Sequence, residues 1–227
     1  MKRSIIAVAM IIICAAALTT ACGRRATDDS TDETLSISDN NDNLETGENT
    51  PSPSNGYITI QGENYDISLT ELELSSRSLV NEDIADLQLM TNLTRLNLYS
   101  NLISDLTPLS GLTNLEVLIL DRNQVSDLTP LTNLTNLTEL DLANTQITDV
   151  TVVSNMTNLD ILYLTNTQVS DITPLSNLSN LKELNVRNTA VSDLAPLSGL
   201  SDLEWLDMRE IEISDLTPVS HVDHILS

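Results

Sequence analysis

Residues 93–114 read LTRLNLYSNLISDLTPLSGLTN, and residues 115–136 read LEVLILDRNQVSDLTPLTNLTN. The two stretches share one length and one pattern, and the pattern continues: Leu93, Leu115, Leu137, Leu159, Leu181 and Leu203 each stand 22 residues apart. The unit is L-x-x-L-x-L-x-x-N/T-x-I/V-x-D-L/I-x-P-L-x-x-L-x-x, preceded by a degenerate unit of 24 residues that begins at Leu69. Repetition at such a period marks a solenoid, in which each unit buries its apolar face only against its neighbours. Within L-x-x-L-x-L the apolar residues alternate with polar ones, the period of a strand. Leu96 and Leu98 therefore point inward, and Arg95, Asn97 and Tyr99 outward. Each unit supplies one short parallel strand, about 4.8 Å from the next.

Six registers of this unit, with the tail S-D-L-T-P-L at Ser104–Leu109 and its variants, resemble the leucine-rich repeat of the internalin-like class of bacterial surface proteins. The resemblance covers about 57–227 and is weaker over 57–92. It implies an α/β solenoid: a leucine-rich repeat horseshoe with a parallel β-sheet on the concave face and 3₁₀ or short helical turns on the convex face. It also implies that Asn101 and Asn123 belong to an asparagine ladder that bonds the backbone of the turn after each strand. The equivalent residues are Thr145, Thr167, Thr189 and finally Ile211, so this network is expected to thin toward the C-terminus.

Asp105, Asp127, Asp149, Asp171, Asp193 and Asp215 recur at one register, ahead of a Pro in five of the six units. Asp caps helical turns and Pro is accommodated in the first turn, which gives these residues a structural role. Each stands alone in its unit, without the dense oxygen set that Ca²⁺ requires. The third unit lacks the Pro and carries Val152-Val153, which predicts a looser turn. The N-terminal edge is expected to be covered by a hairpin over 57–67 and a helix with Asn81 as its N-cap. Val222, Ile225 and Leu226 would cover the C-terminal edge thinly, leaving edge pairing or dimerisation open there; otherwise a monomer is expected.

The chain has 227 residues, a formal charge of −23, no Phe and only 2% aromatics. Such acidity does not neutralise phosphates, which argues against nucleic-acid binding. A ladder tiled by aliphatic side chains of similar size accounts for the missing Phe. The N-terminus carries Lys2 and Arg3, an apolar run from Ile5 to Leu18, and then Leu18-Thr19-Thr20-Ala21-Cys22-Gly23. This resembles a bacterial lipobox, with residues 1–21 as signal peptide and Cys22 as the lipidated residue. The resemblance implies an extracytoplasmic protein anchored to the cell membrane through N-terminal lipid and exposed at the surface. Residues 22–56 read as lipidated Cys and acidic, disordered tether, with 8 acidic and 2 basic residues over 23–56; a coil of this length spans on the order of 30 Å. Residues 57–92 form the N-terminal cap and degenerate repeat, and 93–227 the six repeats with a minimal C-terminal cap.

No catalytic constellation, cofactor motif or metal-ligand set emerges from the sequence. His221 and His224 flank Asp223 without further ligands and read as a solvated tail. What remains is a surface. The outward strand positions gather Tyr99, Val117, Ile119, Ile161, Tyr163 and Trp205, with Arg187 and Arg209 beside them. Tyr and Trp are preferred interface anchors, and apolar side chains on an outward sheet face suggest a ligand. The expected function is that of a surface-anchored, non-enzymatic module binding a protein partner through this face, in adhesion or in host or envelope interaction. Exposed acids favour a basic partner. A carbohydrate or cell-wall ligand on the same face is the alternative, and a cytosolic scaffold of the phosphatase-regulatory kind the third reading.

Overall fold

A computed structural model of the protein describes residues 56–227. The expected signal peptide, Cys22 and all of the expected tether but Gly56 lie outside the described residues. Strands β1 (Tyr57–Ile60) and β2 (Glu63–Asp66) form the expected antiparallel hairpin. Gln61 and Gly62 join them with positive φ. Ile58 and Ile60 turn inward to the core, and Arg77 ties the hairpin to the first repeat through Glu63 at 2.6 Å.

The repeats build one parallel sheet of eight three-residue strands in chain order. They are β3 (Glu71–Glu73), β4 (Arg95–Asn97), β5 (Val117–Ile119), β6 (Glu139–Asp141), β7 (Ile161–Tyr163), β8 (Glu183–Asn185), β9 (Trp205–Asp207) and β10 (His224–Leu226). Pairing advances by one repeat without slippage, so Leu72, Leu96, Leu118, Leu140, Leu162, Leu184 and Leu206 stack in a single buried row. Opposite the sheet the chain returns through 3₁₀ turns, including Thr107–Leu109, Thr129–Leu131, Thr173–Asn177 and Thr217–Val219. The fold is therefore the leucine-rich repeat solenoid expected from the period.

All six recurring aspartates close the start of these turns from the position before the N-cap residue. Each accepts a backbone N–H two residues on, from Thr107, Thr129, Thr151, Thr173, Ala195 and Thr217, at 2.7–2.9 Å. The third unit corrects one expectation. Its turn, Thr151–Asn155, is not looser, because Asp149 accepts from both the amide and the hydroxyl of Thr151 and Val153 fills the core position. Asn81 is a second correction. The N-cap position of the turn Asn81–Leu89 is Val80, whose N–H is bonded by Asp83. The Asn81 amide instead reaches the next repeat, accepting from Ser104 and Asp105 N–H.

The C-terminal edge differs as well. His224–Leu226 is not a tail but the eighth strand, pairing with β9, and the His221 ring lies 2.8 Å from the Leu200 carbonyl oxygen. Val222 is buried and Ile225 partly buried beneath it.

The asparagine ladder is present in the first repeats. The Asn101 amide donates to the carbonyls of Leu74 and Leu98, and the Asn123 amide to those of Leu98 and Leu120, so Leu98 joins the two. Their carbonyl oxygens accept from Arg77, Leu79 and Ile103 N–H. Thr145, Thr167 and Thr189 bond only within their own repeat, donating to the carbonyls of Leu142, Leu164 and Val186, with Thr189 also accepting from Val191 N–H. The expected thinning is thus real inside the core.

A second ladder, outside the core, compensates. Asn144, Asn166 and Asn188 adopt left-handed backbone conformations, which Asn tolerates. Asn144 donates to Asp121, Asn166 to Asn144 and Asn188 to Asn166, at 2.7–2.8 Å. Where the core loses its asparagine, the residue before it supplies one at the surface. On the far edge Asn114, Asn136, Asn158 and Asn180 each donate to a carbonyl of the preceding repeat.

The two ladder chemistries have separable energies. Asn123→Ala leaves Ile103 N–H and Leu120 C=O buried without partners, whereas Thr167→Ala removes one bond. At about 1–3 kcal/mol per orphaned buried group, Asn123→Ala is expected to cost about 3 kcal/mol and Thr167→Ala about 1 kcal/mol. Urea unfolding of the two variants measures the difference.

Candidate functional site

Because the strand register is locked, each outward position forms a column across the sheet. The first runs Glu71, Arg95, Val117, Glu139, Ile161, Glu183, Trp205 and His224; the second runs Glu73, Asn97, Ile119, Asp141, Tyr163, Asn185, Asp207 and Leu226. Over β5–β7 an acidic strand thus lies between two apolar ones. Val117 and Ile119 on β5 and Ile161 and Tyr163 on β7 flank Glu139 and Asp141 on β6, and Glu183 separates β7 from Trp205. These four apolar residues stand as two pairs, one on each side of β6. Trp205 stands two strands beyond them, and Tyr99 one strand before them in sequence.

Val117, Ile119, Ile161, Tyr163, Trp205 and Tyr99 are all half-buried rather than fully exposed. The β5 and β7 pairs flank the two acids of β6. The Tyr163 hydroxyl donates to Glu183 at 2.7 Å, and its own proton is held more tightly than usual by burial and by that carboxylate. The Arg122 guanidinium lies 5.9 Å from the centre of the Tyr99 ring. Arg187 and Arg209 are already engaged. Arg187 pairs with Glu210, and Arg209 grips Asp207 with Nε at 2.9 Å and Nη2 at 2.5 Å. That grip holds the Asp207 carboxyl below its ordinary range.

Asp141, an interruption of the apolar patch in the sequence, belongs to the site as well. Burial between Ile119 and Tyr163 pushes its carboxyl up to about 7, with the charges of Asp121 and Glu139 adding to the effect. Its bond from Ala143 N–H, at 3.0 Å, opposes the shift. Asp121 is also raised by burial, although Asn144 donates to it. The sequence places Asp141 in the outward column between Ile119 and Tyr163 as an acid that interrupts the apolar patch, and the structure adds its burial. A shallow groove at the N-terminal end of the same face is lined by Glu71, Leu72, Glu73, Arg95 and Asn97. Among the described residues no group of His, Cys, Asp or Glu side chains is arranged to hold a metal ion, and no helix is long and apolar enough to cross a membrane.

The sequence matches the family "Leucine Rich repeats (2 copies)" over residues 91–133, 113–155 and 135–177. Internalin C2 of Listeria monocytogenes superposes with a TM-score of 0.54 at 30% identity, over 72% of this chain and 84% of that one. The chain belongs to the internalin-like leucine-rich repeat proteins. The L. monocytogenes internalin InlF gives the same TM-score at 26% identity, over 72% of this chain. The chain spans only 63% of that InlF structure. A leucine-rich repeat protein of Leptospira interrogans shares the fold, with a TM-score of 0.56 at 20% identity, over 70% of this chain and 49% of that one. Among curated proteins no sequence matches.

In this internalin-like sheet the buried acid opposes folding above neutral pH. The Asp141 carboxyl titrates near 3.8 when unfolded and at about 7 when folded, so the native state binds the extra proton between those values. Stability therefore falls as pH rises through this window. The turn-capping aspartates 105, 127, 149, 171 and 215 are held low and act with the opposite sign, below it. Asp141→Asn keeps the bond to Ala143 and removes the charge. It is expected to match the parent protein near pH 4 and to gain on the order of 1–2 kcal/mol by pH 8, allowing for relaxation around the carboxylate. Thermal or urea unfolding across that range reads the difference.

Proposed function

We propose that this is a lipid-anchored, extracytoplasmic binding protein that presents its concave sheet to a protein partner. The observation that carries the reading is the strip formed by Val117, Ile119, Ile161 and Tyr163, extended by Trp205, on an otherwise polar and acidic sheet. Apolar and aromatic side chains at the centre of a rigid concave surface, rimmed by charge, have the composition of an interface core. Kinship with internalin C2 supports the same reading. The −19 charge carried by 57–227 favours a basic partner. Cys22, behind a short apolar run and small residues, would carry the lipid, and the acidic tether would hold the domain clear of the bilayer.

A partner recovered by cross-linking on intact cells is expected to bind the purified protein and to lose about 30-fold in affinity with Trp205→Ala or Tyr163→Ala, the effect of about 2 kcal/mol at an interface anchor. Unchanged affinity in both variants would remove the concave face from consideration. Cys22→Ala is expected to move the protein from the membrane fraction to the soluble one and to abolish its lipid mass. Retention in the membrane would rule out the anchor.

A further inference from the structure

The second outward column contains its own comparison. Glu73, Asn97, Asp141, Asn185 and Asp207 each use one side-chain oxygen to accept the N–H two residues on, at 2.9–3.2 Å. What completes the other half of each group differs. Glu73 receives the Asn97 amide, and Asp207 receives the Arg209 guanidinium. Asp141 occupies the register of Asp207 three repeats earlier, and the residue two places on is Ala143 instead of arginine. Among the described residues nothing donates to the second Asp141 oxygen. No side-chain oxygen or nitrogen there is sealed from solvent without a partner, so that oxygen opens to the concave side. Ile119 and Tyr163 stand on either side of it as apolar walls.

We infer that Asp141 is the seat for a guanidinium or ammonium side chain of the partner, which enters between Ile119 and Tyr163 and makes there the contact that Arg209 makes with Asp207. This rests on the protein-binding reading of the concave face and names the chemistry of its centre. Arginine fits best, since a planar fork bonds a carboxylate while its stem lies on apolar walls. The charged groups facing the seat are Asp121 from the β5 side, Glu139 on β6 itself, Tyr163 on β7 and Glu183 behind Tyr163; Arg122 follows Asp121 on the sheet edge. All but Arg122 are acids or a hydroxyl, so the seat has no internal cation. It consequently works as a pH-dependent site. The empty carboxyl, near 7, is mostly protonated at pH 6 and mostly ionised at pH 8, about a tenfold change in the binding form.

Butylguanidinium chloride is the probe, with neutral butylurea as its matched control, followed by NMR on the ¹³C- and ¹⁵N-labelled full chain. Butylguanidinium is expected to shift the Asp141 carboxyl carbon, the Ile119 methyls and the Ala143 amide, with an affinity about tenfold higher at pH 8 than at pH 6, while butylurea leaves them unchanged. Asp141→Asn, which preserves the bond to Ala143, is expected to abolish the response. Ala143→Arg is expected to do the same by filling the seat internally and to bring the Asp141 titration below pH 5. An equal response to butylurea, a response surviving Asp141→Asn, pH-independence, or no shift at these three residues would each overturn the assignment. Those outcomes leave the protein-binding reading intact, because Trp205→Ala and Tyr163→Ala decide that separately.

Discussion

Once in every repeat the chain must leave a three-residue strand and turn while still inside a dry core. Most amides of that turn pair with the backbone of a neighbouring repeat, but Leu98 C=O, Leu120 C=O and Ile103 N–H find no backbone partner, and each would cost about 1–3 kcal/mol if left alone. The solution fixes the architecture. In the early repeats one buried asparagine spans two turns, so the carbonyl of Leu98 is held by both Asn101 and Asn123. That contact can form only when successive repeats sit directly above one another. The same bond that satisfies the backbone therefore sets the register. In the later repeats threonine closes the turn internally, and the side-chain link between neighbours passes to the surface row Asn144, Asn166 and Asn188.

A locked register turns the sequence into a grid. A side chain on the concave face meets residues one repeat away or two places on, and little else. The pairs seen obey this: Asn97 with Glu73, Tyr163 with Glu183, Arg187 with Glu210, Arg209 with Asp207. Whether an acid is neutralised thus depends on a few grid neighbours. Asp207 has an arginine two places on and is held low, whereas Asp141 has an alanine there and apolar walls on both sides, and is held high.

Features carried by translation were legible in the sequence. The strand alternation, the repeated aspartate caps and Asn101 and Asn123 recur at constant spacing, so one unit explains the others. Features that arise when the pattern shifts by one place were not. The surface asparagine row stands one residue before the ladder threonines, and looks like ordinary turn composition until the hydrogen bonds join it. β10 retains only His224-Ile225-Leu226 of its template, with Ile225 as the inward residue, and so read as a tail. The loose turn expected at Val152-Val153 assumed that Pro shapes the turn, whereas the Asp149 cap does. On the face itself, the sequence placed the apolar side chains and the two arginines correctly outward. It did not show that Arg187 and Arg209 are already committed to acids of this chain, nor that Asp141 is not.

That last asymmetry bears on what the face is for. Asn97 and Asn185 occupy the same column as Asp141 and accept the same backbone N–H two residues on. An amide therefore meets every structural requirement of the position without burying charge. A carboxylate between Ile119 and Tyr163 weakens the folded state above neutral pH and repels Asp121 and Glu139. Nothing in the solenoid requires that charge: the Leu140 row is complete, the turn beyond is closed by Thr145, and the sheet pairing is unaffected. A charge that costs stability and that no internal contact requires is expected where strain is kept for a binding site. Its position between the two apolar strands, on the open side of the sheet, points to a cation supplied from outside.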